Sequence, residues 1–104
     1  MFPLQEYDYG KLRTYWENYS KFIHELESKK SPNPYRVERM KLITESIEFL
    51  FNDASEDMQT IIQLNWWEGK NLSEVSAVLH MPVSKVRRMQ RALLADTAER
   101  ISWV

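Results

Sequence analysis

Residues 68–86, EGKNLSEVSAVLHMPVSKV, decide how this chain is read. Gly69 suits the end of a preceding helix, because a residue without a Cβ enters the left-handed conformation of a helix stop at little steric cost. Asn71, with Glu74 three positions later, has the pattern of a capping box. Leu72, Val75 and Leu79 then give a helix of barely two turns one apolar edge. His80, Met81 and Pro82 make the turn, and Pro82 suits the start of the next helix, where its missing amide would be unpaired anyway. A short helix, a tight turn and a second helix are what a helix-turn-helix needs.

The second helix has two faces. At about 100° per residue, Val86, Met89 and Leu93 fall on one side. Ser84, Arg87, Arg88 and Arg91 fall on the opposite side, and Lys85 lies on the flank. Arginine suits bidentate contact with guanine and also binds phosphate, while a serine near the amino end donates to a base or backbone oxygen. Lys85 is placed for phosphate. Ser84, Lys85, Arg87, Arg88 and Arg91 are therefore the candidate DNA-binding residues.

Outward from this stretch the chain continues as helices. Asn52, Asp53 and Ser55 offer capping side chains ahead of Met58, Ile61, Ile62 and Leu64, and this third helix runs into Trp66 and Trp67, which read as core. Before it, Met40, Ile43, Ile47 and Leu50 share a face, with Leu42 and Phe51 beside them. Lys29, Lys30 and Ser31-Pro32-Asn33-Pro34 end the helix ahead of that one, since a residue before proline is driven out of the helical region. From Tyr9 onward, Leu12, Trp16, Tyr19, Ile23 and Leu26 alternate steps of three and four, widened by Tyr15 and Phe22. One continuous helix from Tyr9 to Leu26 is predicted, antiparallel to its successor. The predicted fold is all-α with five helices. Residues 1–54 form a helical hairpin for support or for homodimerisation through the Tyr9 to Leu26 stripe, and residues 55–104 form a tri-helical helix-turn-helix unit.

Composition narrows the function classes. A chain of 104 residues fits one domain with a single core and leaves little room for a catalytic cleft between domains. Two glycines and four prolines favour helices over a turn-rich sheet protein. The absence of cysteine removes disulfides and thiolate zinc sites and fits a reducing cytosol. The opening residues lack the plan of a signal peptide, and no apolar run approaches a membrane span, so a cytoplasmic location without membrane contact is expected. The net charge of −1 is low for a nucleic-acid binder, but residues 83–91 carry Lys85, Arg87, Arg88 and Arg91 and no acid, so the basic surface is local.

The run from Ile61 to Leu94, IIQLNWWEGKNLSEVSAVLHMPVSKVRRMQRALL, resembles region four of bacterial sigma factors and its relatives. There, a helix ending in an aromatic pair and Glu-Gly precedes an acidic-aliphatic-small step, a turn and a Val-rich basic helix. The likeness covers about 40 residues. Among such relatives, a short chain with an extra helical N-terminal half is most similar to phage late-gene transcription regulators of the RinA and ArpU type. The resemblance implies sequence-specific binding to double-stranded promoter DNA, activation of a late phage operon, and RNA polymerase nearby. His80 stands where the family often has glycine, and Val83 where many members carry a polar residue, so no base contact is assigned to Val83.

Nothing points to catalysis. His24 and His80 each lack a second ligand at metal spacing, so no metal and no cofactor are expected. Glu25, Glu27, Glu45 and Glu48 sit beside lysines and arginines on predicted outer faces, and no nucleophile has a base and an orienting partner. The chain reads as a non-enzyme. Two other functions fit the same elements: a small-terminase-like DNA-packaging subunit, and a helix-turn-helix module that binds RNA polymerase or another protein.

Overall fold

The computed structural model describes residues 3–28 and 33–103. The helix stop expected at Lys29 to Pro32, and Val104 at the tail, lie outside them. Every regular element among the described residues is helical, and there are six helices where five were expected. They are α1 (Glu6–Glu17), α2 (Tyr19–Ser28), α3 (Pro34–Asp53), α4 (Glu56–Ile61, continuing as a π-helical turn over Ile62–Trp67), α5 (Leu72–Leu79) and α6 (Val83–Arg100).

The additional helix arises because the predicted Tyr9 to Leu26 helix breaks at Asn18. Its backbone sits at φ −99° and ψ 13°, and its amide N–H and side-chain Nδ2 both donate to the Thr14 carbonyl at 3.0 Å. Asparagine competes in this way for backbone acceptors, which is why it favours helix ends over interiors. The break lets α1 lie against α6 and the π turn while α2 packs on α3. It also leaves the Trp16 carbonyl at a helix end, where the Trp67 indole N–H donates to it at 2.9 Å.

The caps explain the remaining boundaries. Asn33 Oδ1 accepts from the amide of Tyr35 at 3.0 Å and opens α3 with Pro34 as its first residue, and Ser55 Oγ accepts from the Met58 amide at 3.1 Å to open α4. The π turn widens the end of α4 so that two consecutive tryptophans each meet an aromatic neighbour. Trp66 is buried against Trp16, ring centres 5.4 Å apart. Trp67 is partly exposed and stacks on Tyr19 at 5.9 Å, with Phe51 at 5.2 Å.

One hydrophobic core joins both halves of the chain. Leu12 and Trp16 of α1 are fully buried with Ile43 and Ile47 of α3, Ile61 and Ile62 of α4 and its π turn, Val75 of α5 and Val86 of α6. Trp16 Nε1 donates to Thr97 Oγ1 at 3.0 Å, and that hydroxyl donates to the Leu93 carbonyl at 2.8 Å. The α1 part of the stripe assigned to a dimer seam is thus consumed inside the chain, where Leu12 and Trp16 make internal contacts. Between α2 and α3, the Tyr19 hydroxyl donates to Glu48 at 2.5 Å, and burial first, then this bond, pushes the phenol up to about 12. At the far end, Trp103 turns back onto α1, its Nε1 donating to Asp8 Oδ1 at 2.9 Å and its ring edge-on to Tyr15.

No described helix is long and apolar enough to cross a membrane.

Candidate nucleic-acid interface

The candidate surface is built from α5, the turn after it and α6. Gly69 has φ +76°, the left-handed conformation expected at the stop of the aromatic helix. Asn71 Oδ1 accepts from the Glu74 amide at 2.9 Å and opens α5. The helix ends at His80 in the left-handed region, φ 53° and ψ 43°. The Ser76 hydroxyl donates to the Met81 carbonyl and the Met81 amide to the Ser76 carbonyl at 3.2 Å, so the turn is tied to the helix it leaves. Pro82 is the N-cap residue of α6.

A side chain in the left-handed region carries a steric penalty of roughly 1–2 kcal/mol that glycine escapes, offset in part by the greater freedom of glycine in the unfolded chain. The change His80→Gly is accordingly expected to raise the unfolding free energy by up to about 1 kcal/mol while DNA affinity stays the same. Urea denaturation checks the first statement. A loss of stability would show that the imidazole makes a contact outweighing the strain.

The buried face of α6 is wider than its apolar spacing indicates. Val86 and Leu93 are buried and Met89 is half-buried, but Gln90, Leu94, Thr97 and Ala98 also face inward. Gln90 Nε2 donates to Asn65 Oδ1 at 2.9 Å, and Asn65 Nδ2 donates to the Lys70 carbonyl at 2.7 Å. This polar chain fixes the rotation of α6 about its axis by linking it to the π turn and to the loop ahead of α5. Such a linkage is directional, whereas apolar packing alone tolerates sliding.

With the roll of α6 set, Ser84, Lys85, Arg87 and Arg88 are exposed along its first turns. Arg91 belongs to the same face but has a second allegiance. Its guanidinium bonds the Glu6 carboxylate in the first turn of α1 and lies over the Tyr9 ring, 4.5 Å from its centre. The bond to Glu6 chiefly raises its pKa. Sequence reasoning missed Glu6, Tyr9 and the neighbouring Arg13 of α1, which border the basic face from a distant part of the chain. No local motif marks them, because their proximity to α6 follows from how α1 packs. Comparisons with protein-family models, curated proteins and solved structures find no match for this chain.

Proposed function

We propose that this protein is a cytoplasmic, sequence-specific regulator of transcription that binds double-stranded DNA through α6 and resembles sigma region four and the phage late-gene regulators. The carrying observation is the pairing of a turn-locked α5–α6 unit with exposed Ser84, Lys85, Arg87 and Arg88 on a helix whose opposite face is held by the core. Arg87 and Arg88 read base edges or phosphate in the major groove, Ser84 donates near the helix start, and Lys85 neutralises backbone charge. α5 braces α6 over the backbone. Fluorescence anisotropy on promoter-region duplexes against scrambled duplexes, at two salt concentrations, tests the reading. A preference that survives added salt supports it, and equal binding to both duplexes removes sequence recognition.

One motif of this size buries limited surface, so specificity calls for a second copy or a partner such as RNA polymerase. With Leu12 and Trp16 inside the chain, the dimer seam of this reading moves to the outer face of α3. Tyr35, Leu42 and Phe49 are exposed there at intervals of seven, 85%, 38% and 51% accessible. Antiparallel pairing with a second copy about Leu42 sets Tyr35 opposite Phe49, so the apolar positions are complementary. Sedimentation equilibrium is expected to give a dimer that Leu42→Glu converts to monomer, with helical content retained. A wild-type monomer overturns the pairing.

A further inference from the structure

Between α1 and α6 lies a cleft of about 420 Å³ whose walls include Glu6, Tyr9, Arg13, Arg87 and Arg91 and whose lining includes Trp66. Three arginines from two helices thus line one cleft. Only Arg91 has a carboxylate partner among the described residues, and that partner, Glu6, is 82% exposed in the first turn of its helix. Arg13 and Arg87 make no ion pair among the described residues.

The four tryptophans supply an independent observation. Trp16 donates to Thr97, Trp67 to the Trp16 carbonyl and Trp103 to Asp8, but the Trp66 indole N–H is buried without an acceptor. Trp66 itself lines the cleft, so its indole signal reports on what occupies the cleft. Gly10 also lines the cleft, in the interior of α1, and a Cβ there would meet no atom within 4 Å. The wall is open at that point.

We propose that this cleft is a binding site for a phosphate group, and that the Glu6 carboxylate stands in its place on Arg91 in the free protein. Guanidinium forks match the spacing of phosphate oxygens, and a cleft lined by three arginines offers more such charge than one surface arginine does. A phosphate would displace Glu6 from Arg91 and bond Arg13 across the cleft, with Arg87 contributing positive charge at its wall. Two sources carry this group: a backbone phosphate of bound duplex beside the groove that receives α6, or a free anion. The duplex as source rests on the DNA-binding reading above, whereas the site itself does not.

Titration with inorganic phosphate and pyrophosphate at matched ionic strength, chloride serving as the control anion, is followed by NMR of the indole N–H signals. The Trp66 signal is expected to shift saturably with both phosphates and to ignore chloride. Arg13→Ala should weaken binding roughly tenfold or more, the scale set by losing one charged hydrogen-bond partner, and Arg13→Lys should recover part of it. Glu6→Gln should tighten binding, while Glu38→Gln, on the exposed surface of α3, should not. No saturable shift in the wild type, or equal affinity in the wild type and Arg13→Ala, overturns the site. A parallel titration with duplex identifies the source. If Arg13→Ala weakens duplex and inorganic phosphate alike, the phosphate is the backbone's. If only inorganic phosphate is affected, the natural occupant is a free anion. Phosphate binding by a protein that ignores duplex altogether would keep the site and remove the DNA reading.

Discussion

Replacing Trp16 with alanine is expected to lower the unfolding free energy by about 3–5 kcal/mol, the range for removing a large aromatic from a close-packed core. Trp16 has no exposed surface and packs against Trp66 with the rings tilted by 42°. Its indole N–H holds Thr97, and its carbonyl receives the Trp67 indole. The vacancy would open where α1, the π turn and α6 meet, three elements that cannot all close on it. A domain of this size has a total stability of roughly 5–15 kcal/mol, so a substantial share disappears. The change Trp16→Phe keeps most of the volume but leaves Thr97 without its donor, and should cost much less, about 1–2 kcal/mol. Urea unfolding at several protein concentrations measures both. Because the tryptophan is internal, the size of the loss should not depend on concentration. A midpoint shift that did would return Trp16 to an intermolecular seam.

The second large effect concerns recognition. Changing Arg87 and Arg88 together to alanine is expected to weaken binding to the preferred duplex about a hundredfold and to abolish discrimination against scrambled DNA. The estimate adds about 1–3 kcal/mol for each arginine that reads a base. The two guanidinium groups lie on the exposed side of α6, and neither forms an ion pair among the described residues, so the substitutions disturb no described ionic contact. Circular dichroism should therefore be unchanged. The salt dependence separates two roles. An arginine confined to phosphate should weaken all sequences equally and flatten the slope of log affinity against log salt by about one unit. One that reads a base should leave scrambled DNA less affected than the preferred site. Unchanged binding to both duplexes would remove α6 as the recognition element.

The short helix α5, its turn and the start of α6 were legible in the sequence because their determinants are local. Gly69, Asn71 and the His80 to Pro82 turn act within a few residues of where they stand, and the caps at Asn33 and Ser55 do the same. The break at Asn18 was not legible. The apolar steps run through it without interruption from Leu12 to Leu26, and the interruption depends on a side-chain amide capturing one carbonyl and on α1 having a different neighbour from α2. The π turn was hidden for a related reason, since its wider geometry answers the need to place Trp66 and Trp67 against a helix far away in sequence. On α6, the period of the apolar residues identified Val86 and Leu93 but passed over Gln90 and Thr97, which are buried because polar partners await them. Arg91 was assigned to the basic face from its angle alone. Its bond to Glu6 spans 85 positions, a separation at which no spacing rule operates.

The hydrogen bond from Trp16 to Thr97 has a kinetic consequence. It links residues 81 positions apart, and α1 meets α6 only through contacts of that span. Joining the ends of so long a loop carries an entropic barrier of about 4 kcal/mol on a logarithmic chain-closure scale, well above that of the neighbouring helix pairs. Helical proteins ordinarily fold fast because their contacts are local, and this one departs from that topology at its most buried tryptophan. The basic face of α6 would therefore reach its final orientation at the pace of chain closure, orders of magnitude slower than helix formation.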